Sequence, residues 1–266
     1  MKLDANTILI TGGTSGIGLE LAKELSKHKN VVIITGRDDE RLERTKKQVP
    51  GLHTIKSDQG RSDDIQSLFA TVIKEFPRLN ILVNNAGVMR NINFHDAHPN
   101  LDELTREIDI NLKGPIWMVE RFLPHLKSMP SAAIVNISSG LAFVPLPIAP
   151  IYCATKAAVN SFSRSLRVQL KNTNVKVFEL APPATETALF DPKGPELEGV
   201  KLMKVDDLVR QFLKGFEQDR FEIRPGQANS LKFMNRVAPE FILAQLSRSV
   251  DQMLKKAGTV SGDRLE

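Results

Sequence analysis

Cysteine occurs once in the 266 residues, at Cys153, so the chain can close no internal disulfide and cannot build a zinc site on two or more thiolates. A lone thiol suits a reducing compartment, and the expected location is cytoplasmic. Histidine is sparse as well. His28, His53, His95, His98 and His125 are scattered, and the one close pair, His95 and His98, falls in a polar stretch, so no metal is expected. Charge of one sign is not in excess either: Lys+Arg 36 against Asp+Glu 31 leaves +5, which gives no reason to expect a nucleic-acid partner. Long apolar runs are missing. Residues 7–11 are too few for a signal-peptide core of ~7–15 residues, so secretion is not expected. The uncharged stretch 128–155 is broken by Pro130, Pro145, Pro147 and Pro150 among Asn136, Ser138 and Ser139, and reads as a buried strand and a neutral loop rather than a membrane span.

With 41% hydrophobic residues, a chain of this length can bury a core large enough to need no staple. Short β-branched runs at 7–11, 31–35, 52–56, 79–83, 132–137, 175–180 and 221–224 predict strands, and most are apolar throughout, as strands buried on both faces must be. Helical spacing at 16–28, 38–48, 62–76, 101–127 and 151–171 fills the intervals, with further helices expected at 206–218 and 239–255. The fold class is therefore α/β: one parallel sheet of seven strands with helices on both faces, in one domain. Residues 182–200, rich in Pro and Gly, predict a long functional loop, and the polar tail 257–266 is expected to be flexible.

The first strand runs into Thr11-Gly12-Gly13-Thr14-Ser15-Gly16-Ile17-Gly18 and then a helix. Glycines there permit a tight turn and close approach of the backbone to a pyrophosphate, and the helix start offers unpaired N–H groups to the anion. A dinucleotide site is the expected reading; an ordinary glycine-rich turn is the alternative. Together with Asn84-Asn85-Ala86-Gly87, Asn111, Ser139 and Tyr152-x-x-x-Lys156, this turn makes the chain resemble the short-chain dehydrogenase/reductase family over residues 5 to about 190.

That resemblance implies a Rossmann-type single domain, here 1–256, and hydride transfer between a nicotinamide cofactor and a carbonyl or alcohol. It implies cofactor contacts from Gly12, Thr14, Ser15, Gly16, Ile17 and Gly18, from Asn85, Ala86 and Gly87, and from Tyr152 and Lys156. It implies catalytic roles for four residues: Tyr152 as proton donor, Ser139 as the hydroxyl on the substrate oxygen, Lys156, and Asn111 as organiser of a water that links Lys156 to solvent. Independently, Tyr152 is the only tyrosine and sits one turn from Lys156 on a predicted helix, where an ammonium is expected to lower the phenol's pKa. Ser138 competes with Ser139.

After the sixth predicted strand the family's Pro-Gly is Pro182-Pro183 here, and proline removes an N–H and fixes φ, although by resemblance Pro182 is still expected to contact the cofactor and Thr185 and Thr187 keep the positions expected to reach its phosphates. This variant is similar to the DltE-like branch of the family. At the end of the second strand Gly36 leaves empty the acidic position of an NAD enzyme, and Arg37 follows, so NADP(H) is expected over NAD(H), with Asp58 on the adenine. Leu141, Phe143, Val144, Leu146 and Pro147 either wall an apolar pocket or pack on their own core. By resemblance a homo-oligomer is expected, a dimer or tetramer, through the helices carrying Ile116, Trp117, Val119, Phe122, Val159, Phe162 and Leu166. The competing functions are an epimerase or dehydratase, whose glycine spacing differs, and a nucleotide-sensing binding protein.

Overall fold

The computed structural model describes residues 1–189 and 201–256. Seven parallel strands, β1 (Thr7–Ile10), β2 (Val31–Gly36), β3 (His53–Lys56), β4 (Leu79–Asn84), β5 (Ala132–Ile137), β6 (Val175–Leu180) and β7 (Glu222–Ile223), form one sheet in the order β3-β2-β1-β4-β5-β6-β7. The order reverses between β1 and β4, which opens a crevice at the carboxyl ends of those strands. β1 and β5 are buried at every residue, whereas the edge strand β3 has both ends exposed, which is why the central runs are the more apolar ones.

Alternate residues of β1 feed two cores. Ile8 and Ile10 pack with Leu21 and Leu25 of α1 (Gly16–Ser26) and with Phe212 and Phe216 of α7 (Val205–Glu217). Leu9 faces the other way, toward Ile65 and Leu68 of α3 (Ser62–Glu75), Phe122 of α5 (Gly114–Ser128) and Leu166 of α6 (Pro150–Gln169). Between β2 and β3 runs α2 (Asp39–Gln48), capped by the Asp38 carboxylate, which accepts from Arg41 N at 3.0 Å. Among the described residues no helix is long and apolar enough to cross a membrane.

Two sequence expectations need correction. The helix expected at 101–127 is α4 (Leu101–Ile108), a π-helical turn (Asp109–Lys113) that carries the buried Asn111, and α5. Second, α8 (Gln227–Val237) was not expected and stands before α9 (Pro239–Lys256). Of the seven apolar residues expected to serve core and interface, Val119, Phe122, Val159 and Leu166 are core, Trp117 and Phe162 are half-buried, and Ile116 is exposed. The expected tail 257–266 and most of the loop 182–200, namely 190–200, lie outside the described residues.

Candidate active site

The glycine turn is built by its neighbours. Thr11 Oγ1 accepts from the N–H groups of Asn85 and Ala86, both at 3.0 Å, and the Asn85 amide donates to the carbonyls of Thr11 (2.8 Å) and Gly12 (3.0 Å). Gly12 has φ +65°, and a Cβ there would stand 2.8 Å from Ala86 Cα, so only glycine fits. Ser15 precedes α1 without a side-chain cap bond, which leaves the first-turn N–H groups open to an anion. A cavity of about 640 Å³ follows the turn, lined by Gly12, Thr14, Ser15, Gly16, Ile17, Ala86 and Gly87, and continuing to Ser139, Tyr152 and Lys156. Its size and its glycine cradle fit a dinucleotide. Asn85 lines it too, but its side-chain amide donors hold the turn rather than point to a ligand.

Tyr152 lies in the first turn of α6 and is 4% exposed; Lys156 follows one turn later, also buried, with Nζ 5.7 Å from the Tyr152 ring centroid. Lys156 Nζ donates to Ile137 O at 2.9 Å. Ser139 and Tyr152 both line the cavity, and Ser139 Oγ accepts from Leu141 N at 3.1 Å. The Ser138 hydroxyl is engaged elsewhere, by Glu179 at 2.5 Å. Asn111 donates to Val88 O at 2.8 Å and to Thr155 Oγ1 at 3.2 Å, while its Oδ1 accepts from Val88 N at 2.9 Å, so its amide clamps the segment that follows Gly87.

The expected lowering of the Tyr152 pKa is reversed. Burial pushes the phenol above its ordinary value, opposed by the Ser139 hydroxyl, and the same burial brings Lys156 down to about 8. For a lysine so lowered, the burial cost is full below about pH 8 and is relieved as pH rises toward the ordinary 10.5. Lys156→Met is therefore expected to raise the thermal midpoint of the cofactor-free chain at pH 7, by up to about 3 kcal/mol of stability, and by much less at pH 10. Differential scanning calorimetry at the two pH values checks this; an equal shift at both would contradict it.

Beyond β6, Thr185 lines the same cavity as the glycine turn, and its Oγ1 donates to Pro183 O at 2.8 Å. Thr187 lies over the glycine turn: its Cβ and Cγ2 would each be 3.3 Å from a Cβ at Gly16, and its Oγ1 accepts from Leu189 N at 3.4 Å. Pro182 O accepts from Gly140 N at 2.7 Å. Arg37 is exposed at the cavity's far end beside Asp58, whose carboxylate accepts from Gly60 N (2.9 Å) and Arg106 Nη2 (2.8 Å). At the near end the wall is apolar. Leu141 and Leu146 join Met89, Leu189, Leu231 of α8 and Leu246 of α9, whereas Val144 is core and Phe143 stacks under Lys232. Leu231 and Leu246 were not named as site residues in the sequence; the signal for Leu231 was a short apolar spacing in 228–234, just after Pro225-Gly226, and Leu246 falls in the helix expected at 239–255.

The sequence matches the short chain dehydrogenase family over residues 6–198. It is 41% identical over 249 residues to the protein named Uncharacterized oxidoreductase DltE of Bacillus subtilis (strain 168), covering 93% of this chain and 98% of that one. In fold it is similar to a short chain dehydrogenase from Burkholderia cenocepacia J2315 in complex with NADP (TM-score 0.79, 22% identity, 92% of this chain and 99% of that one). It is also similar to a 3-ketoacyl-(acyl-carrier-protein) reductase from Brucella melitensis complexed with NADH (TM-score 0.75, 27% identity, 84% and 98%). The chain belongs to the short-chain dehydrogenase/reductase family, in its DltE-like branch, and is an oxidoreductase acting on CH–OH and C=O groups with a nicotinamide cofactor.

Proposed function

We propose that this chain, as one catalytic domain over 1–256, is an NADP(H)-preferring reductase of carbonyl compounds bearing apolar substituents. The observation that carries the reading is the meeting of Ser139, Tyr152 and Lys156 at the junction of the glycine-turn cavity and an apolar wall. A bound nicotinamide supplies the hydride. The first-turn N–H groups of α1 and the Thr187 hydroxyl hold the pyrophosphate, and Arg37 takes the ribose 2′-phosphate. Lys156 holds the nicotinamide ribose while Ile137 O fixes its amine. Tyr152 donates its phenolic proton to the carbonyl oxygen, and the Ser139 hydroxyl donates a hydrogen bond to the same oxygen. Oxidation of the alcohol runs the same transfers backward.

Met89, Leu141, Leu146, Leu189, Leu231 and Leu246 offer an apolar substituent a dry wall and give a hydroxylated one no charged partner. With NADPH, a bulky aryl ketone is expected to be reduced with at least about tenfold higher kcat/KM than a small hydroxylated aldehyde, which corresponds to little more than one buried apolar group. Preference for the aldehyde would contradict the wall's role. A chain that binds NADPH and consumes none across a broad carbonyl panel would instead be a nucleotide sensor. We also propose a cytoplasmic homodimer joined through α5 and α6, where Ile116 is exposed and Trp117 half-buried. Light scattering is expected to give the mass of two chains, and a concentration-independent monomer would refute it.

A further inference from the structure

One buried charged side chain has no part in the chemistry above. Glu179 stands on β6 between Phe178 and Leu180, both fully buried, and is itself 2% exposed. A carboxylate in such a place is costly unless its oxygens are bonded. Here they are, by neutral donors: Oε1 accepts from the Ser138 hydroxyl at 2.5 Å and from Asn160 Nδ2 at 2.8 Å, and Oε2 accepts from the same Asn160 nitrogen at 2.8 Å.

The two donors belong to the two elements that carry the reacting groups. Ser138 stands between Ile137, whose carbonyl accepts from Lys156, and Ser139, which lines the cavity with Tyr152. Asn160 lies one turn beyond Lys156 on α6. The backbone ladder already ties Ser138 N to Leu180 O at 2.8 Å, so β5 and β6 need no side-chain link to stay in register. What the carboxylate adds is a link across three elements: it fixes the end of β5 against α6.

We propose that Glu179 is a positioning residue, which through Ser138 and Asn160 sets the placement of Ser139 and of the Lys156 anchor relative to Tyr152. The proposal rests on Ser139, Tyr152 and Lys156 being the reacting groups. Glu179 touches neither substrate nor cofactor. Its effect is that of a misplacement of the acid, which commonly costs more in turnover than in binding.

Tyr152 is the only tyrosine, so ring-labelled tyrosine gives a single NMR resonance that reports its surroundings without any ligand or turnover. In Glu179→Ala this resonance is expected to shift or broaden, while kcat with NADPH and a ketone falls at least about tenfold and KM for NADPH stays within about threefold. Glu179→Gln is expected to restore both readouts most of the way, since an amide oxygen still accepts from Ser138 and Asn160 can turn its own oxygen to the new NH₂. Ser138→Ala deletes one hydroxyl and serves where Glu179→Ala does not fold; it is expected to move the resonance in the same direction, with a loss in kcat of about threefold. An unchanged Tyr152 resonance in whichever alanine variant folds overturns the proposal. If wild type and Tyr152→Phe turn over equally, it is the assignment of the site that fails, and the resonance still judges Glu179.

Discussion

Tyr152→Phe is expected to lower turnover by about 10²–10⁴-fold while leaving cofactor affinity within about twofold. The phenylalanine ring keeps the packing that makes Tyr152 4% exposed, in a cluster with Leu146, Ile148 and Cys153, so the fold and the cavity should survive. What is deleted is one hydroxyl, in the cavity that Ser139 also lines. Because burial holds the phenol above its ordinary pKa and brings Lys156 down to about 8, the cofactor-free site keeps its proton on the tyrosine at neutral pH, the state a carbonyl reductase requires. Steady-state rates with NADPH and a ketone, paired with a fluorescence titration of cofactor binding, check the result. A variant with more than about a tenth of the wild-type rate would remove Tyr152 from the role of acid.

The parts of this protein that could be read in the sequence are those governed by local pattern. Strands such as β1 and β5 are apolar at nearly every residue because both faces are covered, and that signal survives in one dimension. The glycine turn, Tyr152 and Lys156 were readable because their spacing is fixed by a turn and a helix. The rest depends on contacts between distant segments. Desolvation of Tyr152 comes from the loop around Leu146 and Ile148 folding over it, so its pKa moved opposite to what the Lys156 charge alone implied. Thr185 pairs in a bridge with Met203, which no spacing rule foretells. Glu179 interrupts an apolar run and reads as a flaw in a strand until Ser138 and Asn160 are seen to bond it. The single fully buried residue of α8, Ala228, gives too weak a stripe to declare a helix, yet Leu231 from that helix lines the cavity.

Cofactor preference follows from the far end of the cavity, where the wild type is expected to show higher kcat/KM with NADPH than with NADH. The two acidic residues nearest Arg37 in sequence already have partners. Asp38 caps α2 through Arg41 N, and Asp39 pairs with Lys56 Nζ at 2.5 Å, whereas among the described residues Arg37 forms no ion pair and stands exposed at the cavity edge. Its guanidinium is therefore available to a 2′-phosphate. Gly36 cannot easily become acidic: a Cβ there would come within 3.0 Å of Thr14 Cγ2 and 3.3 Å of Leu42 Cδ2, so Gly36→Asp would disturb the glycine turn as well as the charge. Arg37→Ala is the cleaner test. Charge-assisted bonds of about 1.5–3 kcal/mol predict that it weakens NADPH binding by ~10- to 150-fold. NADH has no 2′-phosphate, and its affinity should stay within about threefold, so the two cofactors converge. Equal losses for both would show that Arg37 supports the turn rather than the phosphate, and a wild type that favours NADH would end the assignment outright.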